Sequence, residues 1–299
     1  MTKVHVLPEE VISKIAAGEV IERPASVVKE LVENSLDAGA DLIELRVKQA
    51  GRTLIHLKDT GSGIESEDIE NIFLRHSTSK ISSVDDIFKI SSLGFRGEAL
   101  YSIASISDIS LRSKPKEQDS GWEVHLRAGK KEKLRPINMP TGTEIEVKEL
   151  FFNTPARRKF LKSDSTELNH ILNTFIPYTL LYPEKRFTLI NNDKPVFELA
   201  PEKNTLIRIS RALHLDESHL IEASREYPDE KISIRLILGD MNIQRTSKEL
   251  QFIFVNNRPV SSRLLSFHLN QIYRLIFPAD IHPFFALYIN LPAENIDVN

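Results

Sequence analysis

Cysteine is absent from this 299-residue sequence. Its absence excludes disulfide bonds, thiol nucleophiles and cysteine-ligated zinc or iron–sulfur centres. Long apolar runs are lacking too, because no stretch approaches the roughly 20 apolar residues that span a bilayer. Glu9 and Glu10 interrupt the start, where a signal peptide would have its apolar segment. We therefore expect a protein of the reducing cytoplasm that has no membrane partner.

Neither sign of charge is in large excess, with 39 Lys and Arg against 42 Asp and Glu. Any contact with nucleic acid would have to come from local clustering of basic residues. The sequence is 41% hydrophobic and 27% charged and has no low-complexity tract. This composition is typical of a globular chain, and the length favours about two domains.

Two common signatures of phosphate and metal binding are missing as well. The Walker sequence G-x-x-x-x-G-K-[ST] does not occur, which argues against a P-loop fold. No group of His, Asp and Glu has the spacing of zinc ligands, so no metal site made of protein ligands alone is predicted. Phosphates would have to be held by other loops.

Apolar periodicity predicts an α+β first domain. A helix follows Pro24, and its apolar stripe ends at Asp37-Ala38-Gly39. The turn Ala50-Gly51-Arg52 lies between two alternating segments, which predicts a hairpin of residues 42–47 and 53–57 that ends near Asp59. Further strands are predicted at 108–113, 121–128, 142–147, 187–190 and 195–199, and helices at 8–20, 98–106 and 166–181. Helices layered on a largely antiparallel sheet follow from this order.

A polar stretch at residues 200–204 predicts the domain boundary, which divides 1–204 from 205–299. Helices at 206–213 and 261–276 alternate with strands at 231–238, 250–255 and 284–290, so the second part is predicted to be a smaller α/β domain. Between residues 65 and 97 the sequence is rich in Ser and Thr and has weak helical segments at 69–74 and 84–90. We expect this region to be mobile.

Glu30 and Asn34 lie four residues apart on the helix after Pro24. Their side chains therefore project from one face, roughly 6 Å apart, and Asp37 follows on nearly the same face. A carboxylate can accept a proton from an attacking water, and an amide oxygen can bind magnesium. Phosphoryl transfer uses both functions. Taken alone, a solvated helix face is the better explanation of this pair.

The segment Asp59-Thr60-Gly61-Ser62-Gly63 follows the second strand of the predicted hairpin. Its glycines can take positive φ and let a ligand approach the backbone closely. The Asp59 side chain can accept a hydrogen bond from an adenine amino group. An ordinary Asp-x-Gly turn explains the same residues, and by itself it is the preferred interpretation.

Two further segments point to phosphate. Gly94 and Gly97 precede a predicted helix, where free N–H groups and the helix dipole favour an anion. Upstream, Arg75-His76-Ser77-Thr78-Ser79-Lys80 concentrates hydroxyl groups and cations in the mobile region, as a lid that closes over phosphates would require. A solvated loop remains the alternative for this stretch.

Four segments in this order resemble the GHKL ATPases, a superfamily that includes gyrase-type topoisomerases, heat-shock-90 chaperones, histidine kinases and the MutL family. They are residues 30–40 (ELVENSLDAGA), 59–64 (DTGSGI), 94–100 (GFRGEAL) and the pair Gly142-Thr143. Residues 15–24, 75–80 and 153–160 are similar to the MutL family in particular. The resemblance covers almost the whole chain. It implies a Bergerat-type nucleotide-binding domain followed by a domain like the second domain of ribosomal protein S5.

The resemblance also implies that the cofactors are ATP and Mg²⁺. It makes Glu30 the general base, Asn34 the magnesium ligand and Asp59 the residue that contacts adenine, with Thr143 supporting Asp59 through its hydroxyl. The other residues that it assigns to the nucleotide site are Asp37, Gly61, Gly63, Thr78, Ser79, Lys80, Gly94, Phe95, Arg96, Gly97, Glu98, Ala99 and Leu100.

The implied function is that of an ATP-driven switch in DNA mismatch repair, associated with the nucleoid during repair. ATP binding would drive dimerisation with a second copy. The implied partners are DNA, a mismatch-recognition protein of the MutS type and a downstream nuclease or helicase. Arg263 falls at a DNA-contacting position of the family, where phosphate contacts carry little sequence information. The basic cluster Arg157, Arg158, Lys159 and Lys162 is at least as well explained by a solvated helix start.

In the family, a His-Pro-x-Lys segment that would follow Asn299 supplies a lysine to the ATP γ-phosphate. Such a cation can contribute strongly to phosphoryl transfer, so we expect hydrolysis to require that lysine. The alternative hypothesis is a non-catalytic, nucleotide-dependent DNA-binding or scaffold module. Another GHKL enzyme would need a phosphoacceptor helix or a strand-passage region, and no segment clearly supplies either.

Overall fold

The computed structural model describes residues 20–78, 80, 92–94, 97–245, 249–275 and 281–296. The chain folds as two compact units. The first comprises residues up to Phe175 and Lys185–Ala200, and the second comprises Ile176–Glu184 and residues from Pro201 onward. Residues 176–184 thus group with the second unit, whereas the sequence interpretation placed them in the first domain. The predicted helical segments at 8–19 and 84–90 lie outside the described residues.

One large sheet organises the first unit. Its strands are β1 (Leu42–Lys48), β2 (Leu54–Asp59), β3 (Asp108–Lys114), β4 (Gly121–Arg127), β5 (Lys130–Ile137), β6 (Gly142–Lys148), β7 (Arg186–Asn191) and β8 (Lys194–Leu199). The spatial order is β5-β4-β3-β6-β2-β1-β7-β8. Every neighbouring pair is antiparallel except β1 and β7, which are parallel. The predicted, largely antiparallel sheet is confirmed.

Among the described residues, four α-helices accompany this sheet in the chain: α1 (Pro24–Asp37), α2 (Ala99–Ser105), α3 (Pro155–Phe160) and α4 (Asp164–Leu181). Helix α1 begins at Pro24, whose fixed φ suits a first helical position. It ends before Gly39, which has φ +71°, and the Ala40 N–H donates to the Ser35 carbonyl at 3.0 Å. This is a common glycine-based helix end.

The buried face of α1 comes from its apolar stripe. Val27, Val28 and Val32 are fully buried, and the helix packs on β2. On the sheet, alternate residues of β1, β2, β3 and β6 form the matching buried face, as in Ile43 and Leu45 of β1. Glu30 and Asn34 lie off this stripe and are only partly buried. Core packing therefore sets which face of α1 is available for chemistry.

A row of alternating charges crosses six neighbouring strands on the opposite face of the sheet. In cross-strand order the row is Glu44, Lys58, Glu144, Arg112, Glu123 and Arg135. Opposite charges directly across a strand pair are stabilising. Burial opposes ionisation of Glu123, but hydrogen bonds from Arg112, Arg135 and Lys133 lower its pKa to about 2. Ion pairs of Arg112 with Glu144 and Glu123, and of Arg135 with Glu123, connect the four strands β6, β3, β4 and β5 into one charge network.

Three potential metal ligands meet in the same region of the sheet. Atoms of His56, Glu144 and Glu146 lie within 4.8 Å of one another. However, Arg112 Nη1 lies 3.3 Å from Glu144 Oε1 and 3.4 Å from Glu146 Oε1. A guanidinium that already bridges two carboxylates supplies the positive charge that an ion would bring. We therefore interpret this cluster as part of the charge network.

The second unit is built on a smaller sheet with the order β13-β12-β15-β10-β9. Its elements are α5 (Thr205–Leu213), β9 (Leu220–Tyr227), β10 (Ile232–Gly239), β11 (Gln244–Arg245), β12 (Gln251–Val255), β13 (Arg258–Pro259), α6 (Arg263–Tyr273), β14 (His282–Pro283) and β15 (Phe285–Asn290). Its core includes Ile253, Tyr273, Phe285 and Leu287. The predicted α/β character is confirmed. No helix among the described residues has both the length and the apolarity to cross a membrane.

Strands β5 and β9 were missed by the sequence interpretation. Both lie at an edge of their sheet. Their sequences, KKEKLRPI and LIEASREY, are strongly charged and lack apolar alternation. Charged residues are frequent on edge strands because they discourage pairing with other chains. Such strands give no hydrophobic signal from which to predict them.

Candidate active site

Asp59 ends β2 as a buried carboxylate, only 6% exposed. Its Oδ1 accepts hydrogen bonds from the Gly61 N–H at 2.8 Å and the Thr143 N–H at 3.2 Å. Its Oδ2 accepts a hydrogen bond from the Ser35 hydroxyl at 2.7 Å. Burial raises the pKa of Asp59, and these three donors oppose that rise. The carboxylate is therefore held in one orientation by groups from three separate segments.

The contact between Thr143 and Asp59 differs from the predicted one. The resemblance implied support through the threonine hydroxyl, whereas the structure shows support through the backbone N–H. Thr143 lies opposite Asp59 on one side and opposite Ser113 on the other. Its Oγ1 is 2.9 Å from Ser113 Oγ. The hydroxyl is thus engaged with β3, which leaves the main chain to bind the carboxylate.

Gly61 and Gly63 follow Asp59 and allow close packing of protein atoms. A Cβ atom at Gly61 would lie 2.7 Å from Ala38 Cβ and 3.1 Å from Asp59 Oδ1. Gly63 has φ +78°, and a Cβ atom there would lie 2.3 Å from the Lys114 carbonyl oxygen. We predicted from the sequence that these glycines let a ligand approach. In the structure they let the loop approach α1 and β3, which places Asp59.

Glu30 lies on the partly exposed face of α1, with its side chain 25% exposed. Burial raises the pKa of Glu30, while Lys29 lowers it, with its Nζ 3.5 Å from Glu30 Oε1. Lys29 Nζ also donates to Glu33 Oε2 at 2.9 Å. A carboxylate with a raised pKa is a stronger base than an ordinary one. This environment suits a group that accepts a proton from water.

Asn34 and Asp37 hold a cation between them. The Lys80 ammonium donates to Asn34 Oδ1 at 3.0 Å and to Asp37 Oδ2 at 2.6 Å. An amide oxygen and a carboxylate oxygen are hard donors of the kind that magnesium prefers. The two residues already attract a positive group, so their chemistry fits the predicted ion. This observation places Lys80, predicted to belong to the lid, directly at the predicted magnesium ligand.

Asp37 also binds the segment at residues 92–94. Its Oδ1 accepts the Leu93 N–H at 2.8 Å, and its Oδ2 accepts the Gly94 N–H at 3.2 Å. The Lys80 N–H donates to Thr78 Oγ1 at 3.1 Å. Two segments that are distant in the sequence from α1 therefore meet at the end of that helix. Leu93 was not among the predicted site residues, because a backbone contact has no residue-type signature.

The start of α2 meets the lid segment as well. Gly97 has φ +62°, and a Cβ atom there would lie 2.6 Å from the Ser77 carbonyl oxygen. Glu98, the N-cap residue, has its Oε1 3.1 Å from His76 Nδ1. Ala99 and Leu100 begin the helix, and the Glu98 side chain makes no capping hydrogen bond to its first N–H groups. Ser79, Phe95 and Arg96, also predicted to bind nucleotide, lie outside the described residues.

Arg263, the predicted DNA contact, belongs to the second unit. It is exposed at the first residue of α6, where the preceding Ser262 hydroxyl accepts the Leu265 N–H at 3.2 Å. A cavity of about 320 Å³ in the same unit is lined by residues that include Arg235 and Tyr288, and it contains none of the predicted site residues.

The basic cluster at 157–162 begins with Arg157, whose guanidinium lies 5.3 Å from the Phe151 ring centre. That contact supports its interpretation as a structural helix start.

Two family models match the chain. Residues 21–154 match the histidine kinase-, DNA gyrase B- and HSP90-like ATPases. Residues 215–299 match the C-terminal domain of DNA mismatch repair protein. Each unit of the structure thus has a counterpart in a known family.

Among curated proteins, the chain is similar to DNA mismatch repair protein MutL of Thermodesulfovibrio yellowstonii, with 44% identity over 100% of this chain and 54% of that protein. It is 39% identical to MutL of Haemophilus influenzae, over 99% of this chain and 48% of that protein. The chain therefore spans about half the length of the curated relatives that it matches.

Solved structures agree. The Aquifex aeolicus MutL ATPase domain complexed with ADP superposes with a TM-score of 0.71 at 33% identity, over 91% of this chain and 93% of that one. The ATPase region of Saccharomyces cerevisiae topoisomerase II, at 13% identity and a TM-score of 0.54, shares the fold. With the two family matches and the near-complete overlap with the Aquifex domain, the chain belongs to the MutL family of DNA mismatch-repair proteins.

Proposed function

We propose that this chain binds ATP with Mg²⁺ in its first unit and acts as the ATP-hydrolysing switch of a mismatch-repair protein. The observation that carries the proposal is the position of the Lys80 ammonium group, which lies between Asn34 and Asp37. Both residues are on the same helix as Glu30. Ser35 of that helix is hydrogen-bonded to the buried Asp59. The related Aquifex aeolicus domain, which was solved with ADP, supports the same assignment.

Each residue has a distinct task in this proposal. The adenine amino group donates to Asp59, whose carboxylate is oriented before the nucleotide arrives. Asn34 holds Mg²⁺, which neutralises charge on the phosphate oxygens when bound. Glu30 accepts a proton from the water that attacks the γ-phosphate, and its raised pKa favours this role. Water activation and charge stabilisation are the main requirements of phosphoryl transfer.

The lid residues complete the proposed site. Lys80 lies at Asn34 and Asp37 and supplies a positive charge to bound phosphates when Mg²⁺ takes the Asn34 oxygen. Thr78, Gly94 and the segment 97–100 contribute hydroxyl and N–H donors. Ser79, Phe95 and Arg96 are assigned to the same lid by the resemblance alone. Asp37 couples the two halves of the lid to α1 through Lys80, Leu93 and Gly94.

Titration of the protein with ATP by calorimetry tests this function. We expect saturable binding that weakens when EDTA removes Mg²⁺, because Asn34 and the phosphates share the ion. GTP serves as the control, since its 6-oxo group would face the Asp59 carboxylate. Absence of ATP binding in the presence of Mg²⁺ would refute the proposal.

We also propose that the protein binds DNA and dimerises when ATP is bound. In the intact protein it would then act with a MutS-type mismatch-recognition protein and a downstream nuclease or helicase. The exposed Arg263 at the start of α6 is the proposed phosphate contact. A purely structural nucleotide site would have no need of a carboxylate that accepts a proton from water. The environment of Glu30 therefore favours the catalytic switch over the non-catalytic scaffold.

Arg263→Glu is expected to weaken DNA binding about equally for all sequences. The slope of log affinity against log salt concentration should fall by about one, because one phosphate contact is lost. Arg274→Glu, at the other end of α6, is the matched control because Arg274 is also exposed. Fluorescence anisotropy with labelled DNA measures both. Equal losses in the two variants would show a general charge effect and remove the specific role of Arg263.

A further inference from the structure

Ser35 is a buried serine next to the proposed magnesium ligand. It is 2% exposed, and its hydroxyl donates to Asp59 Oδ2 at 2.7 Å. Ser35 lies in segment 30–40, which resembles the GHKL ATPases, but the resemblance implied no role for it. Its position on α1 links the helix that carries Glu30 and Asn34 to the strand end that carries Asp59.

The hydrogen bonds of Asp59 leave a defined acceptor position. An ionised carboxylate offers about four lone-pair sites. The Gly61 and Thr143 N–H groups both bind Oδ1, and Ser35 binds Oδ2. One acceptor position therefore remains on Oδ2. Ser35 is the side-chain donor in this set, because the other two donors are main-chain groups.

We propose that Ser35 is a positioning residue that makes Asp59 an acceptor only, so that the site selects a 6-amino purine over a 6-oxo purine. The inference rests on the proposed function, in which Asp59 receives the purine base. Adenine presents a donor at its 6-position, whereas hypoxanthine and guanine present an acceptor there. A carboxylate that only accepts hydrogen bonds therefore binds adenine and repels the 6-oxo groups of hypoxanthine and guanine.

The hydrogen bond from Ser35 is needed because Asp59 is buried. Burial raises the pKa of Asp59, and the hydrogen bonds from Ser35, Gly61 and Thr143 oppose it. These are the groups of α1, of the loop after β2 and of β6 that act on the carboxylate. Without the Ser35 hydroxyl, the protonated form becomes easier to populate. A protonated carboxyl group can donate to a 6-oxo group, so base selectivity would decline.

Ser35→Ala tests the proposal, with ATP and ITP as the two probes. Calorimetry between about pH 6 and about pH 8 should show ATP affinity reduced about tenfold, the size expected for one hydrogen bond to an ionised group. The loss should be larger at the lower pH, because protonation then removes the acceptor. ITP affinity should stay the same or rise, so that the preference for ATP narrows. A general weakening of the fold would instead lower both affinities together.

Ser107→Ala is the matched control. Ser107 is also fully buried, and its hydroxyl donates to the Ile103 carbonyl at 2.6 Å, away from Asp59. Ser107→Ala should leave the ratio of ATP affinity to ITP affinity, and the pH dependence of that ratio, unchanged. Ser35→Thr keeps a hydroxyl and should restore the ratio. If Ser35→Ala does not fold, Ser35→Cys, which retains only a weak donor, should show an intermediate ratio.

The outcomes separate this inference from the proposed function. If the wild-type protein binds no ATP, the proposed function itself fails. If wild type binds ATP selectively and Ser35→Ala or Ser35→Cys keeps the same selectivity and pH profile, the role of Ser35 is overturned while the nucleotide site stands.

Discussion

Asp59→Asn is expected to raise the dissociation constant for ATP by at least about a hundredfold. The substitution conserves volume but replaces one oxygen with an NH₂ group. The remaining oxygen must face the Gly61 and Thr143 N–H groups, which both bind Oδ1. The NH₂ group then faces the adenine amino group, donor against donor. Loss of a charge-assisted bond and an unpaired buried donor together cost about 3 kcal/mol, which corresponds to this factor.

Calorimetric titration with Mg²⁺ and ATP measures the effect. Asp193→Asn is a suitable control, because Asp193 is an exposed aspartate whose partner is Lys48, away from Asp59. It should bind ATP like the wild type. Unchanged affinity in Asp59→Asn, with an unchanged thermal unfolding midpoint, would remove Asp59 from base recognition.

Glu30→Ala is expected to bind ATP with nearly wild-type affinity but to hydrolyse it about 10² to 10⁴ times more slowly. That range is typical for loss of a general base. Glu30 acts on the attacking water in this mechanism, so its removal affects the transition state more than the bound nucleotide. Phosphate release by the intact protein under single-turnover conditions measures the rate. Wild-type turnover in this variant would contradict the general-base assignment.

The pH profile gives a second test of Glu30. Its burial raises the pKa of the carboxylate above the ordinary value of 4.5. Only the ionised form accepts a proton, so hydrolysis should fall as the pH decreases through this raised pKa and recover above it. The same fall in hydrolysis at low pH should persist in Glu44→Gln, which alters a carboxylate on the opposite face of the sheet. If the residual hydrolysis by Glu30→Ala still fell at low pH in the same way, the titrating group would be another residue.

Sequence periodicity predicted the elements whose burial is one-sided. Helix α1 and strands β1, β2, β3, β6 and β7 lie close to the predicted ranges, because each buries an apolar face that leaves a repeating pattern. Strands β5 and β9 are charged edge strands and leave none. The division into units also differs from the predicted boundary, since residues 176–184 group with a sheet that is formed by later parts of the chain.

The sequence by itself determined the types of chemistry available. Glu30 and Asn34 share a helix face because helical geometry connects residues four apart, and the ordered motifs around them identified the family. A local sequence pattern can predict these features because it depends only on backbone geometry and residue type.

Only the tertiary structure decided how these groups meet. Strand register placed the Thr143 N–H, and not its hydroxyl, on Asp59. Chain folding brought Lys80 to Asn34 across 46 positions of sequence, and the packing of α1 turned Ser35 toward Asp59. Hydrogen bonds need atoms within about 3 Å and correctly oriented. Distances of that kind between remote segments depend on the packed core, and no local pattern of residues encodes them.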